Sequence, residues 1–578
     1  MRVLLGVGVL APFLAARDTT RESVSTAGVQ GNQQSFGAKA TPDGRFVVFA
    51  SDAYNLVPGD TNAVADVFVR DRALSTTERV SVSSTGAEAH GASAVSAITA
   101  DGNLVVFVSS ASDLVPGDTN AKVDVFVRDR LAGTTERISV GPGGVEGTGH
   151  CQFAVVTPDG RYVAFSSQAD NLAPNDTNGT DDVFRYDRQF GTVRIVSARS
   201  TGVVGNGTST SPSISDDGRF VAFASAASNL AGGDTNGAFD VYVSDLLLGT
   251  IELASRASSG AQGSLGSMQP SLSGDGRFLA FASYANNLVP SDTNGSMDVF
   301  RRELQTGALL LVSADMAGGS ANGESLYPSI SGDGRFVAFG SHATDLLMVD
   351  ANGIAMDAFV RDCVAGTTEF AGVGTSGLQA NFRIVDLALS ANGRYVCFTS
   401  MAANLVAGDT NQREDVFLRD RGVDFTAYCF GDGLDPFQTT QCPCGNIGAP
   451  GNGCANSVTA TGARLDAVGL WYEVTLTAAG MPATSTCIYL QGDALDEAVF
   501  GDGVRCTGGT LLRLRTRANS AGASSFPDST DTVTLAQRGG MTGGVGGRRY
   551  YQTHYRNVAP LFCPPATFNV TNGVIVDW

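Results

Sequence analysis

An Asp-Gly or Asn-Gly pair returns along this chain at a nearly fixed interval, at Asp43, Asp101, Asp159, Asp217, Asp275, Asp333 and Asn392. The step is 58 residues five times and 59 once. A period of that length marks a supersecondary unit that cannot bury its apolar face alone and must stack on its neighbours. Residues 212–215 precede the pair in the fourth copy, and 219–225 follow it as an apolar, β-rich run. Residues 240–245 resume after a loop containing Asp234-Thr235-Asn236. Adding a run such as 135–140 of the second copy, each unit reads as four strands, A to D. Asp-Gly between A and B signals a hairpin turn. No segment sustains a helical period, so the array is all-β.

Four strands per unit and seven units predict a seven-bladed β-propeller. The seventh unit has A, B and C but no following D. Residues 20–25 at the N-terminus resemble the D strand of the first unit, so they are expected to complete the last blade and close the ring. Closure covers edges that an open solenoid would leave unpaired.

The motifs Asp-Gly-Arg and Phe-Val-Ala-Phe-x-Ser, as in Asp217–Arg219 and Phe220–Ser225, resemble TolB-like and WD-repeat-like propeller repeats over residues 20–421. That resemblance implies a fold and no function. TolB-like proteins proper have six blades, shorter repeats and an N-terminal α/β domain, so a role in envelope transport is not implied here.

A chain of 578 residues is too long for one core. The expected division is a signal peptide at 1–16, the propeller at 17–422 and a cysteine-rich β-sandwich at 423–578. The apolar run 3–16 behind Arg2 is too short to span a bilayer and reads as a secretion signal. Seven of the ten cysteines lie from Cys429 onward, which suits disulfides in an oxidising compartment. Cys429, Cys442, Cys444 and Cys454 also raise zinc, but Cys442-x-Cys444 is tighter than ordinary zinc spacing and no His is near. Strands are expected at 471–476, 486–491, 510–516, 532–536, 549–556 and 574–578. Cys442-Pro443-Cys444-Gly445-Asn446, residues 499–506 and Tyr550-Tyr551-Gln552 with Tyr555-Arg556 resemble a C-terminal domain of secreted proteins from planctomycete-type bacteria. That resemblance implies secretion or surface display, and leaves Cys487 as the extra thiol.

The connections fall into two classes. A–B and C–D turns are tight, whereas B–C and D–A loops are long, so one face of the ring should be elaborated. Each B–C loop carries Asp-x-Asn and a later Asp. The sets are Asp60, Asn62, Asp66; Asp118, Asn120, Asp124; Asp176, Asn178, Asp182; Asp234, Asn236, Asp240; Asp292, Asn294, Asp298; Asp350, Asn352, Asp357; and Asp409, Asn411, Asp415. Hard oxygens at this spacing make calcium the candidate ion. Asp and Asn also cap turns through their own side chains. The short ligand set favours turns over calcium. The recurrent Arg after Asp-Gly, as at Arg45, is expected to pair with an Asp ending strand C, such as Asp71.

Residues just before strand A vary most between copies: Phe36, His90, His150, Phe153, Met268, Tyr327, Phe382 and Asp386. They are expected at the mouth of the central channel, where a ligand site would be asymmetric. Net charge is −19, which repels phosphate backbones and argues against nucleic acid. There are four histidines, and no nucleophile elbow, zinc-binding His-Glu-x-x-His helix or phosphate-cradling loop. The expected function is therefore a secreted, periplasmic or surface binding protein, monomeric, meeting a protein or glycan at its long-loop face. The alternatives are an exported hydrolase or lyase working at the channel mouth, and a structural envelope component.

Overall fold

The computed structural model describes residues 18–348 and 350–422, and then 425–428, 442, 453–457, 462–468, 474–483, 485–500, 503–528, 530–540, 548–557 and 568–577. The expected leader and Cys429, Cys444 and Cys563 lie outside the described residues. Two compact units emerge, Asp18–Arg421 and a second within Gly422–Trp578.

The first unit is built of four-stranded antiparallel sheets, seven among the described residues. The fourth shows the pattern, with strands Ser209–Ile214, Phe220–Ser225, Asp240–Asp245 and Thr250–Leu253 in sequence order. Strands B and C are buried almost throughout, because each sheet packs on a neighbour through both faces. A cross-strand aromatic pair marks the middle of B and C in every sheet, from Phe49–Phe68 to Phe398–Phe417, with centroids 5.8 and 5.7 Å apart. The core lies between sheets: one cluster joins Phe46, Val48 and Val67 of the first to Phe107 and Phe126 of the second.

The Asp-Gly turn explains its own recurrence. Gly218 sits at φ +69, and a Cβ there would lie 2.2 Å from the ring of Tyr162, the first residue of strand B in the preceding sheet. Gly102 meets Phe46 and Gly334 meets Phe278 in the same way. Gly44, in the first sheet, meets Tyr395 of the seventh at 2.5 Å. The first and last sheets are thus neighbours.

The N-terminal strand does join the last sheet, as expected. It spans Asp18–Arg21 and pairs with Asp415–Asp420 so that Arg21 faces Phe417, the register in which Arg79 faces Phe68. It therefore starts two residues earlier than the sequence comparison placed it, and Arg21 aligns with Arg79. Glu22 extends the closure: it accepts from Arg72 Nε at 3.0 Å, as Glu136 of the second sheet does from Arg188 of the third at 2.7 Å. The recurrent Arg pairs within its own sheet, Arg219 with Asp245 at 2.7 Å, and that hydrogen bond holds Asp245 below the usual carboxylate range.

The second unit contains a five-stranded, a three-stranded and a two-stranded antiparallel sheet. Leu465, Leu476 and Phe526 from the three-stranded sheet share one buried cluster with Tyr489, Leu514, Tyr551 and Val574 from the five-stranded sheet. Residues 532–536, expected as a strand, instead lead into a short helix, Leu535–Arg538. Thr534 accepts from the Gln537 amide while the Gln537 side chain accepts from the Thr534 amide, a reciprocal cap that wins over the β propensity of the threonines. Cys442 and Cys454 form a disulfide, and Cys487 is a free buried thiol. No helix among the described residues is long and apolar enough to cross a membrane.

Candidate functional site

The acidic B–C loops lie against the D–A loops of their own sheets. In the first, the Thr61 amide and hydroxyl both donate to Glu88 of the D–A loop, at 2.8 and 2.7 Å. The two long connections therefore share a face. The third loop residue has a structural task. Asn62 Nδ2 donates to Asp66 at 2.8 Å and to the Ala89 carbonyl at 2.8 Å, while its Oδ1 accepts from the Val64 amide. Asn120, Asn178, Asn294 and Asn411 do the same toward Asp124, Asp182, Asp298 and Asp415. Asn236 and Asn352 likewise donate to a D–A loop carbonyl, Gly263 and Ala380. A recurrent serine two residues beyond strand D, Ser81 in the first sheet, donates to the other oxygen of Asp66 at 2.5 Å.

What stands between the first and last carboxylates of each loop differs from sheet to sheet. In the first loop Arg79 Nη1 lies 3.6 Å from Asp60 and 3.2 Å from Asp66, and also bonds Glu88. Asp60, Asp66 and Glu88 are mutually close enough to hold a metal, yet the guanidinium occupies their centre. Against the cost of burial, Thr61 and Arg79 hold Glu88 down to about 2, whereas burial and then Asp66 push Asp60 up to about 6. Arg137 stands likewise between Asp118 and Asp124. Gln262 Nε2 bridges Asp234 and Asp240 at 3.0 and 2.8 Å, and Gln379 bridges Asp350 and Asp357 at 3.0 and 2.7 Å. In the seventh loop Gln30 bridges Asp409 and Asp415, with Arg21 close by. The third and fifth loops have no such donor. These bridging side chains went unnoticed in the sequence because they sit on strand D and the D–A loop, 19 to 28 residues from the first Asp in the first loop.

The second feature lies where the A strands converge. Residues 39–40, 97–98, 155–156, 213–214, 272, 329 and 388–389, one set from each sheet, line a common channel cavity of about 250 Å3. Toward the long-loop face it gives way to a larger cavity of about 620 Å3, within the usual size for small ligands. Lys39 lines both. His150, Gln152 and Phe153 supply the polar and aromatic wall of the larger one, with Val95, Val108 and Pro270 among its apolar lining.

Strand A is bulged here. Its register with strand B slips between Gln152 and Val155, and in equivalent places in the other sheets. The bulge puts Phe153, Ser211, Gln269 and Tyr327 at φ between +48 and +56, where glycine is at ease and other residues are strained. Strain of about 1–3 kcal/mol per residue is characteristic of functional sites. Phe153 and Tyr327 present exposed rings.

Of the eight expected mouth residues, His150 and Phe153 line the larger cavity. Asp386 accepts the Gly37 amide across the junction of the first and last sheets at 2.9 Å. Tyr327 donates its amide to Gln269 Oε1. His90 is exposed and bonded to Asp113, away from the cavity lining, and Phe36, Met268 and Phe382 are not part of that lining. Lys39, Ser211 and Gln269 have no signal in the sequence, and neither has the strain at Phe153 and Tyr327, since neither a bulge nor a channel has a local signature.

The cavity offers little reactive chemistry. Among the described residues no carboxylate lines it. His150 Nδ1 accepts the Val123 amide at 3.0 Å, so that ring nitrogen is taken up by the backbone. Cys151 is fully buried, and burial pushes its thiol up to about 12, so it is no nucleophile at neutral pH. Burial lowers the Lys39 ammonium.

The chain matches no protein-family profile. It matches no curated protein sequence. Solved structures similar to it include a putative TolB from Agrobacterium tumefaciens, 14% identical, with TM-score 0.33 over 60% of this chain and 94% of that one. The β-propeller domain of the Trilobed protease from Pyrococcus furiosus is 9% identical, with TM-score 0.41 over 67% and 95%. A GH74 xyloglucanase from Xanthomonas campestris is 11% identical, with TM-score 0.38 over 72% and 57%. A protease domain and a xyloglucanase are among them, and likeness at this level assigns no function.

Proposed function

We propose that this protein is an exported binding protein: a closed seven-bladed propeller that takes a ligand in the cavity at its channel mouth, carried with a small β-sandwich. The observation that carries the reading is the 620 Å3 cavity whose wall includes the strained strand-A residues Phe153 and Ser211. Its chemistry suits a ligand with one apolar or sugar-ring face for Phe153 and an anionic or carbonyl group for Lys39. An acidic glycan, free or on a protein, has both. The missing carboxylate and the inert thiol favour binding over hydrolysis. Export is supported by the Cys442–Cys454 disulfide, which needs an oxidising compartment, and by the resemblance of residues 423–578 to domains of secreted proteins.

The test is a panel of acidic and neutral glycans read by thermal shift. Acidic oligosaccharides should raise the melting temperature of the wild type. Phe153→Gly should melt no lower than the wild type, because glycine accepts φ +48 without strain, yet lose the ligand-induced shift. Lys39→Met should lose it as well. A shift that survives both substitutions would move the site elsewhere. Turnover of a bound glycan would favour the enzyme reading instead.

A further inference from the structure

The seven acidic loops are an internal substitution series, and two members differ from the rest. Registers define the comparison. Arg79 faces Phe68 on strand C, and Glu88 bridges Val82 in the D–A loop. In the third sheet these positions are Ile195 and Val204, and in the fifth Leu311 and Ser320. Every other loop has an Arg or a Gln at one position or both, reaching the first and last Asp together. Ile195, Val204 and Leu311 have no donor to offer, and the Ser320 hydroxyl accepts from the Thr293 amide without reaching either Asp.

The acids have not been dropped along with the donors. Asp292 is 5% exposed, and neither of its carboxylate oxygens makes a well-formed hydrogen bond; only the Asn294 amide bears on it. Asp176 is 6% exposed and its Oδ1 is bare, its carboxylate otherwise meeting the Asn178 amide and Asp182 but no side-chain donor. In the glutamine-bridged sixth and seventh loops, one oxygen of Asp350 and of Asp409 is also bare, but the other is met by the bridging amide. A buried carboxylate left without a side-chain donor is costly unless something neutralises it. The first and last Asp of each open loop are close enough for the charge of Asp292 to bear on Asp298 and that of Asp176 on Asp182. Further oxygens are at hand. The carbonyl before the first Asp faces the same spot, for Gly59 accepts from Arg79 and Gly117 from Arg137. Its counterparts are Asn175 and Ser291, the latter also accepting the Ser320 amide at 3.2 Å.

We propose that the third and fifth loops each bind one divalent cation of the calcium type, and that the other five carry an arginine or glutamine side chain in its place. The charge argues for a divalent ion: each open loop holds two carboxylates where a guanidinium or an amide stands elsewhere. Calcium fits better than magnesium, because a mixed set of carboxylates, carbonyls and waters without rigid octahedral order suits the larger ion. The proposal is independent of what the channel cavity binds, since none of these residues lines that cavity.

Calorimetric titration of the chelator-treated full chain with calcium chloride alone tests it. The expected stoichiometry is two. Leu311→Arg with Ser320→Glu, which gives the fifth loop the set found in the first, should leave one equivalent and a calcium-free melting temperature no lower than that of the wild type. Should that double variant fail to fold, Asp176→Asn and Asp292→Asn should each remove one equivalent. The reverse exchange in the second loop, Arg137→Ile with Glu146→Val, should add one. No binding, binding near seven equivalents, or two equivalents indifferent to these substitutions would overturn the proposal, leaving the cavity reading untouched.

Discussion

Gly218 carries two constraints at once, a left-handed backbone and a face pressed on Tyr162. Gly218→Ala is expected to cost about 2–4 kcal/mol, the sum of an unfavourable φ and an overpacked contact, read by urea denaturation. The Arg that follows allows a sharper comparison, because the same pair occurs at different depths. Arg394 and Asp420 are 5% and 8% exposed, whereas Arg277 beside Glu303 is 49% exposed. Arg394→Ala should cost about 3–5 kcal/mol by stranding a buried charge. Arg277→Ala should cost about 0–1 kcal/mol, as an open ion pair does. Equal losses at the two sites would show that burial does not set the worth of this pair.

At the scale of the element, the N-terminal strand closes the ring. Asp18–Arg21 supplies the fourth strand of the last sheet, and Ser23 donates to buried Asp415 at 2.5 Å, the role Ser81 has toward Asp66. Deleting residues 18–25 bares the edge of strand Asp415–Asp420, an aggregation-prone template. The deletion is expected to lower the melting temperature and raise light scattering on heating. A truncated chain that melts and scatters like the full one would make the strand dispensable. This closure was legible in the sequence, because a D strand was missing at one end and present at the other. Its register was not, since Thr20 and Thr19 both match Thr77 by type, and only the pairing of Arg21 with Phe417 decides between them. The short helix Leu535–Arg538 was hidden for a related reason: one turn has no periodicity to detect, only its cap.

At the scale of the whole molecule, pH acts differently on the two units. In the second unit, burial and the charge of Arg505 push His554 down to about 4. Its neutral form is thus favoured by folding, so its contribution is complete above an unfolded value near 6.5 and is lost as pH falls through about 4. His554→Gln should therefore recover stability relative to the wild type below pH 6, on the order of 2 kcal/mol by pH 4, measured by denaturant melts. In the first unit, burial, chiefly, pushes Asp357 up to about 7, which has the opposite sign: its protonated form is favoured by folding, and stability falls as pH rises from about 4 through 7.

The sequence by itself determined the repeat, its four strands, the Asp-Gly turn and the return of the N-terminus, because each follows from local propensity and periodic burial. It also singled out the acidic loops. It could not say what those loops hold, since the deciding side chains, Arg79, Gln262, Ile195 or Leu311, are brought to the aspartates by strand pairing. Nor could it place Lys39 beside Phe153 from two sheets away: seven strands with ordinary sequences become a cavity only when their inner edges meet around one axis.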